Sequence, residues 1–363
     1  MSKVLRLTVL MVLLLPALAS AGCGDDDEPS GESVDASKAI EASPEVTKQL
    51  DELEAAARKE TGPIQYYFIL GEEANRDLFN AFTERYPFVE FEVSGGDPFQ
   101  LLEKVVSENK TGRPVADILQ GGPLEDQVLN TDNDIGMAFE PAGEAEADDR
   151  VQVEGNVIVS DYFTFHTVYN TNEVSEEEAP TSLEDLTKPE WRGRFGIDLE
   201  QIDWFAGELG HYGEDEGLSL MQRLGENEPV IFAGAEGYEQ VAAGALPVAV
   251  NLFSAAVVPY FEQGAPIAFA KLDHIIAQPD MYFGIKSSDV PNKVKLFLAW
   301  LFTEEAQQIL SQSSFKNPTL SGVEPPPHLE GVCEDPCELF VETSEVFGDF
   351  DKRVEQFRSV FTR

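Results

Sequence analysis

The chain has 363 residues, of which 67 are Asp or Glu and only 25 are Lys or Arg, so its formal net charge is −42. A surface of that sign repels phosphate backbones and anionic lipid headgroups, which excludes nucleic-acid binding and electrostatic membrane docking as main functions. Hydrophobic residues make up 42% of the sequence, and a chain of this length can form one or two domains with large cores.

The first 22 residues have the pattern of an export signal. Lys3 and Arg6 precede an apolar run at residues 9–18, which is too short for a comfortable bilayer span. Small residues follow at 19–22, and then Cys23. This order resembles a bacterial lipoprotein signal with Cys23 as the lipidated residue, although Ser20 stands where the usual pattern has Leu. An ordinary secretory signal with an incidental Cys23 is the alternative, and both place the mature chain outside the cytoplasm.

Residues 23–43 are polar and acidic with few large apolar side chains, which predicts a disordered tether. The sequence then predicts a helix at 44–60, a strand at 64–70, a helix from 71, a strand at 88–93, a helix at 99–108 and a strand at 116–119. Strands that alternate with helices indicate a mainly parallel sheet with helices on its faces.

Loops that follow the carboxyl ends of such strands are the expected ligand-binding positions. Two of the three loops are rich in glycine, so backbone N–H groups at the following helices can approach a ligand closely. The alternative is that the glycines only supply turn geometry. The predicted ligand-binding residues of these loops are Gly71, Glu72, Glu73, Gly96, Asp97, Gln120, Gly121 and Gly122.

The second half of the chain repeats the alternation. A long β-rich run at 157–169 precedes strands at 195–199, 246–253, 267–272 and 281–286, with helices around 218–224 and 237–243. A single amphipathic helix is expected at 290–311, a Pro-rich irregular segment at 322–338 and a closing helix at 338–363. Because the mature chain leaves the cytoplasm, Cys333 and Cys337 are expected to form a disulfide-closed loop.

Three segments resemble the bacterial extracellular solute-binding proteins that serve ABC importers, and most nearly the ferric-iron branch. They are residues 53–93, residues 168–197 with Tyr-Asn-Thr, Pro-Thr-Ser, Glu-Asp-Leu and Trp-x-Gly elements, and the late helix at 292–310. The resemblance implies a two-lobe periplasmic-binding-protein-like fold of type II. Each lobe is then a mixed, mainly parallel sheet flanked by helices, with the cleft between the lobes. The implied boundaries are lobe 1 at 44–165, lobe 2 at 166–270, a return to lobe 1 at 271–321, and a Pro-rich segment with a C-terminal helix at 322–363.

The same resemblance implies a lipid-anchored monomer that faces the extracellular or periplasmic side of the cell membrane. Such a protein captures a small ligand between its lobes and delivers it to an ABC permease, without a cofactor. A sensory protein that presents its ligand to a membrane receptor is an alternative. Catalysis is not expected, because the four His residues have no metal-ligand spacing and no Gly-x-Ser-x-Gly motif occurs.

Ferric binders of this family use a His, a Glu and a Tyr pair, which are hard or anionic donors that suit Fe(III). The corresponding positions here are Gly71, Gly122 and the segment 251–254, so no metal ligands are assigned. Glycines enlarge the cleft and aromatic side chains make its wall apolar, which favours an organic cation of the polyamine or thiamine type. Ferric iron held by displaced carboxylates and a small anion held by the glycine loops are alternatives. The further predicted ligand-binding residues are Phe163, Asp198, Trp204, Asn251, Phe253 and Tyr282.

Overall fold

A computed structural model describes residues 42–362 except 69–74, 97, 154, 334–335 and 349, and it leaves out the side chains of Pro98, Phe99 and Phe347. The predicted export signal, the lipidation at Cys23 and nearly all of the predicted tether therefore lie outside the described residues. Among the described helices, none has the length and apolar character needed to cross a membrane.

Lobe 1 is built on three parallel strands in the order β2-β1-β3, which are β1 (Ile64–Phe68), β2 (Phe91–Gly95) and β3 (Ile118–Gly121). The helices of its first part are α1 (Pro44–Ala57), α2 (Arg76–Arg85), α3 (Pro98–Lys110) and the short α4 (Pro123–Asp126). Helix α1 begins where Ser43 accepts a hydrogen bond from the backbone of Val46, a capping interaction that satisfies a free N–H group. The apolar sides of α1, α2 and β1 share one core around Tyr66, Phe82 and Phe297, and those of α3 pack in a second core with Leu119.

Lobe 2 repeats this plan with the parallel order β6-β5-β7, which are β5 (Phe195–Asp198), β6 (Val230–Phe232) and β7 (Val248–Phe253). Its helices are α5 (Ile202–Tyr212), α6 (Glu214–Glu226), α7 (Ala235–Ala242) and α8 (Ser254–Glu262), and a short strand β8 (Ile267–Phe269) follows. Phe195, Phe205 and Met221 are fully buried in the lobe 2 core, which is separate from that of lobe 1.

Two long antiparallel strands, β4 (Ile158–Asn170) and β9 (His274–Gly284), connect the lobes. Strand β9 also pairs with β3 of lobe 1, and β4 also pairs with β7 of lobe 2. The sheets of the two lobes are therefore continuous in the order β2-β1-β3-β9-β4-β7-β5-β6. At the middle of this crossover pair Asp161 lies opposite Asp280, and Phe163 lies opposite Gln278.

The prediction of one helix at 290–311 is wrong. The segment forms α9 (Pro291–Trp300) and α10 (Glu304–Gln312), and both contribute to the lobe 1 core. The break occurs because the hydroxyl of Thr303 accepts a hydrogen bond from the backbone of Ala306 at 3.3 Å, which caps a new helix. The apolar periodicity continues through the break, so it gave no sign of the interruption.

The prediction of one closing helix at 338–363 is also wrong. The segment forms β11 (Glu338–Val341), α11 (Ser344–Phe347) and α12 (Phe350–Phe361). Strand β11 pairs in parallel with β9, and α12 contributes Phe357, Val360 and Phe361 to the lobe 2 core. We call residues 338–347 the C-terminal strap, because α11 lies against both α4 of lobe 1 and α5 of lobe 2.

The segment between α10 and the strap is irregular apart from the two-residue strand β10 (Asn317–Pro318), which pairs with β4. Cys333 and Cys337 are joined by a disulfide with an S–S distance of 2.11 Å, which is the pairing that the sequence predicts. The disulfide-closed loop therefore immediately precedes the strap.

Candidate ligand site between the two lobes

The two lobes meet over one face of the crossover strands. Phe163 of β4 and Gln278 of β9 are directly paired, so their side chains point to the same side of the sheet. A Cβ atom on Gly122 of lobe 1 would lie 3.2 Å from the amide nitrogen of Gln278. The same amide is a hydrogen-bond partner of Asp203 in lobe 2. Gln278 therefore marks the point where lobe 1, lobe 2 and the crossover strands come together.

Lobe 1 contributes Glu125 to this point. Its side chain is 4% exposed, and one carboxylate oxygen accepts a hydrogen bond of 2.8 Å from the backbone N–H of Gly122. Burial raises the pKa of Glu125 to about 7 against the lowering effect of backbone hydrogen bonds, and the charge of Asp203 adds to the increase. A Cβ atom on Gly121 would lie only 2.6 Å from Cγ of Glu125, so the glycine makes room for this carboxylate.

Lobe 2 contributes Asp203, which lies in the first turn of α5. Its side chain is half-buried, and burial raises its pKa to about 6 despite the hydrogen bonds from its own backbone and from Gln278. In the described part of the chain neither Asp203 nor Glu125 forms an ion pair with a lysine, arginine or histidine. Two carboxylates from opposite lobes thus approach each other without a counter-ion.

An aromatic wall borders the site on the side of lobe 2. The half-buried ring of Phe253 lies edge-on to Phe163 with centroids 5.5 Å apart, and it packs on Phe165 at 4.5 Å. The backbone N–H of Phe253 donates to the hydroxyl of Tyr238 at 3.1 Å, which fixes the end of β7. Two of the four aromatic side chains predicted for the cleft, Phe163 and Phe253, are therefore in contact with each other.

Asp198 and Asn251 form the scaffold of the lobe 2 edge. The Asn251 side chain accepts from the backbone N–H of Asp198 and donates to its carbonyl, both at 2.9 Å. Asn251 has a φ of +52°, a left-handed conformation that Asn tolerates better than most residues. The Asp198 carboxylate accepts from the backbone of Glu200 at 2.9 Å and of Gly234 at 3.3 Å. These two predicted residues therefore use their polar groups to hold the loops in place.

Other predicted residues are buried away from the Glu125–Asp203 pair. Trp204 is 3% exposed within the lobe 2 core, so the structure favours a core role over a ligand contact for its ring. The Tyr282 hydroxyl is fully buried and donates to Asp161 at 2.9 Å. The Gln120 amide bonds Tyr66 at 2.9 Å and Asp280 at 2.6 Å, so it connects lobe 1 to the crossover strands.

The remaining predicted loop residues divide into two groups. Gly96 is exposed beside Leu101 and lies apart from the residues around Gln278. The residues Gly71, Glu72, Glu73 and Asp97 lie outside the described residues.

The structure also reveals a buried ion cluster that the sequence did not indicate. Nζ of Lys316 lies 2.6 Å from Oδ2 of Asp280 and 3.4 Å from Oδ1 of Asp161 at the middle of the crossover pair. All three side chains are at most 3% exposed. Burial lowers the pKa of Lys316, but the charges of the two aspartates outweigh it and raise the pKa overall.

The family model for bacterial extracellular solute-binding proteins matches residues 138–331, just over half of the chain. The chain belongs to this family. Membership agrees with the predicted two-lobe fold, and it places the protein outside the cytoplasm. No curated protein sequence gives a significant match to this binding protein.

Solved structures show the same fold at low sequence identity. The structure of iron-bound HitA from Pseudomonas aeruginosa is similar with a TM-score of 0.70 and 19% identity, covering 83% of this chain and 99% of that one. The FutA protein of Trichodesmium, in complex with iron and citrate, has a TM-score of 0.67 and 16% identity, with 82% and 99% coverage. AfuA from Actinobacillus pleuropneumoniae, with fructose-6-phosphate bound, has a TM-score of 0.65 and 16% identity, with 83% and 99% coverage. The periplasmic-binding-protein-like fold is thus shared by proteins whose ligands differ.

Within the described part of this binding protein, no three or more His, Cys, Asp or Glu side chains lie close enough together to hold a metal ion. Sequence reasoning missed Glu125, Asp203 and Gln278 as members of the site. For Glu125 a signal was available, because it follows the predicted loop 120–122 within one helical turn. Asp203 adjoins Trp204, but only the position of α5 shows that the acid faces the cleft while the indole enters the core.

Proposed function

We propose that this binding protein captures a small organic cation between its two lobes and delivers it to an ABC importer in the membrane. The main observation is that two acids from opposite lobes, Glu125 and Asp203, flank Gln278 of the crossover strands. Glu125 bonds Gly122, which lies beside the Gln278 amide, and Asp203 is hydrogen-bonded to that amide. Two lobes joined by a pair of strands can rotate about them, so a ligand between the lobes stabilises the closed arrangement. Family membership supports the delivery step, since such proteins serve ABC permeases.

The charge at the site supports the cationic ligand. Burying a carboxylate without a counter-ion is unfavourable, and the raised pKa values of Glu125 and Asp203 report this cost. A bound cation reduces the cost by pairing with both acids. The half-buried ring of Phe253 adds an aromatic surface that attracts alkylammonium groups, whereas the buried ring of Phe163 already has Nζ of Lys316 5.3 Å from its centroid.

Ferric iron is the second candidate, and the iron-bound structures of HitA and FutA favour it. Their sequence identity to this chain is below 20%, so the likeness extends to the fold. Hard Fe(III) needs several anionic oxygen donors around one point, and the described residues do not form such a group. We therefore rank an organic cation above iron.

A thermal-shift screen tests the proposal. The mature protein is heated with alkylamines, diamines, thiamine, ferric citrate and sugar phosphates in separate wells. A ligand at 100 times its dissociation constant is expected to stabilise the protein by about 2.7 kcal/mol, which is easily detected. Small-angle scattering then checks that the same ligand closes the lobes.

One double variant and one control make the screen specific. The double variant Glu125→Gln and Asp203→Asn is expected to lose the stabilisation by a cation, because both counter-ions become neutral. Glu52→Gln on the exposed surface of α1 is the matched control and should retain it. Stabilisation by ferric citrate alone, retained in the double variant, would contradict the proposed ligand and its site.

We also propose that the protein is anchored through Cys23, which keeps the captured solute near the importer. Mass spectrometry of the membrane fraction should detect a diacylglycerol on the wild-type protein, and Cys23→Ser should release the protein into the medium or periplasm. Equal membrane association of Cys23→Ser would contradict the anchor and leave the ligand site unaffected.

A further inference from the structure

The C-terminal strap carries a carboxylate with no bonding partner. Glu342 follows β11 directly and its side chain is 0% exposed. Both of its carboxylate oxygens are without a hydrogen bond in the part of the chain that the structure describes. A fully buried, unpartnered acid is costly to retain, and such a group calls for an explanation.

The side chain of Glu342 points toward the interlobe site. Strand β11 is paired in parallel with β9 so that Val341 lies opposite Ala277, and the backbone N–H of Glu342 donates to the carbonyl of Ala277 at 2.9 Å. The next position on β9 is Gln278, the residue that bonds Asp203. Strand alternation therefore places Glu342 and Gln278 on the same face of the sheet.

The contact with α5 locates this carboxylate relative to Asp203. A Cβ atom on Gly207 would lie 2.8 Å from Oε1 of Glu342. Asp203 and Gly207 are four residues apart on α5, so they share one face of the helix and are separated by about 6 Å along its axis. Glu342 therefore lies about one helical turn from Asp203 on the same face.

Neighbouring groups do not neutralise Glu342. Glu208 of α5 lies near it, but the carboxylate of Glu208 is paired with Nε2 of His274 at 2.8 Å. Burial raises the pKa of Glu342 well above its ordinary value, and the charges of Asp203 and Glu208 add to this. No imidazolium or ammonium in the described part of the chain is paired with Glu342.

Two glycines hold the strap close to the site. Gly207 and Gly210 lie on adjacent turns of α5, and a Cβ atom on Gly210 would lie 2.7 Å from Val346 and 2.8 Å from Phe340. Larger residues at these positions would push the strap away from α5. Because α11 also lies against α4, the strap contacts the element of lobe 1 that carries Glu125.

We infer that Glu342 belongs to the ligand site and that the ligand is a small aliphatic diamine or polyamine with two separated ammonium groups. One ammonium pairs with Glu125 and Asp203, and the second pairs with Glu342 about one helical turn away. This inference rests on the proposed function. The described acids do not form a metal-binding group, which agrees with a ligand whose charges are spread over several ångströms.

Isothermal titration calorimetry of the mature protein tests this inference with two probes. The probes are 1,4-diaminobutane and n-butylamine, which have the same carbon chain and differ in one ammonium group. The wild-type protein is expected to bind the diamine at least roughly tenfold more tightly, because a charge-assisted hydrogen bond to Glu342 is added. Glu342→Gln is expected to remove this preference, so that the variant binds the diamine no more tightly than it binds n-butylamine.

Glu345→Gln is the matched control, because Glu345 lies in the same strap with an exposed side chain. It should keep the wild-type preference for the diamine. Asp203→Asn should weaken the binding of both probes, since its carboxylate pairs with the shared ammonium group. Circular dichroism confirms that each variant is folded, and Glu342→Gln is expected to fold because a neutral amide of similar size replaces a buried carboxyl group that has no hydrogen-bond partner in the described part of the chain.

The inference is overturned if Glu342→Gln binds the diamine as tightly as the wild type does, or if the wild-type protein does not prefer the diamine. These results do not contradict the proposed function if another organic cation stabilises the protein and closes the lobes. The proposed function itself fails if no organic cation of the thermal-shift screen stabilises the protein, or if ferric citrate alone does so and the double variant retains the effect.

Discussion

Two sets of buried or half-buried acids lie beside the crossover strands, and they differ in one respect. The hinge cluster contains Asp161 and Asp280 with Lys316 between them, at 3.4 Å and 2.6 Å. The interlobe set contains Glu125, Asp203 and Glu342, and none of these is ion-paired to a base in the described part of the chain. The chain thus supplies a counter-ion for the permanent contact and omits it where the lobes meet. This difference is the reason why we propose a cationic ligand for the interlobe site.

The hinge cluster is close to electrically balanced on its own. Burial raises the pKa of Asp280 to about 7, and Asp161 adds to the increase while Lys316 opposes it. One aspartate can therefore take up a proton near neutral pH, which leaves one carboxylate against one ammonium. The interlobe set has no equivalent of Lys316 among the described residues, so its negative charge must be neutralised by bound protons or by a ligand.

The largest effect is expected from removing the internal cation of the hinge cluster. Lys316→Met should destabilise the protein by about 3–5 kcal/mol in urea unfolding, because it leaves two buried acids without a base. Lys271→Met removes an exposed pair with Glu176 at 3.2 Å and should cost less than about 1 kcal/mol. Equal losses in the two variants would remove the basis for the comparison.

A second prediction concerns the pH dependence of the unliganded protein. The pKa of Glu125 is raised from 4.5 to about 7 on folding, so the folded protein holds this proton more tightly than the unfolded chain. Its contribution to stability is fully present below pH 4.5 and is lost as the pH rises through 7, a change of about 3 kcal/mol. Urea unfolding should therefore show Glu125→Gln gaining stability relative to wild type across this range.

The pH window identifies the group that titrates. Asp203→Asn should show the same gain at lower pH, because the pKa of Asp203 is raised from 3.8 to about 6. Saturating cation should shrink both differences, since it pairs with the ionised acids. If the stability difference between each variant and the wild type does not change with pH, the pKa values of these acids are not raised by folding in the unliganded protein.

A smaller effect is expected at His274, which acts as the base for Glu208 in lobe 2. Burial alone would lower its pKa, but hydrogen bonds and charge from Glu208 and Asp273 raise it from 6.5 to about 9. The stabilisation is fully present below pH 6.5 and is lost as the pH rises through 9. His274→Gln should cost about 1–3 kcal/mol at pH 6 and less at pH 9.5. A cost that does not fall with pH would mean that His274 is not charged in the folded protein.

The smallest effect is expected at the aromatic wall. Phe253→Leu keeps an apolar side chain but removes the ring that faces Phe163, so affinity for the ligand should fall by roughly 3–10-fold in calorimetry. Phe261→Leu at the other end of α8 is the control, because that ring stacks on His328 away from the site. Equal affinities of the two variants would restrict the interlobe site to its carboxylates.

Much of the fold could be predicted from local patterns. Strands such as β1 and β7 are short apolar runs bounded by turn residues. Residues close together in the sequence are therefore enough to predict that these segments are strands. The break before α10 and the strand β11 were missed for a different reason. The apolar period runs through residues 301–303 although Thr303 begins a new helix, and β11 is a strand because the edge of β9 is available for pairing.

The candidate site was predicted less completely than the fold. The glycine loop at 120–122 and the rings of Phe163 and Phe253 do lie at the junction of the lobes, as the sequence suggested. The acids were not singled out, because 67 Asp and Glu residues give no local sign of which ones are buried. Trp204 and Tyr282 are aromatic residues of the kind that often line ligand clefts, yet their rings are buried away from the acid pair.

The sequence by itself determined that the chain is acidic, that it carries an export-signal pattern and that strands alternate with helices, because these are properties of composition and of neighbouring residues. Only the tertiary structure decided which acids have a counter-ion. Lys316 reaches Asp161 through the pairing of β10 with β4, and Glu342 reaches the interlobe site through the pairing of β11 with β9. Charge pairing depends on distances between residues far apart in the chain, and those distances are set by strand pairing and not by the order of residues along it.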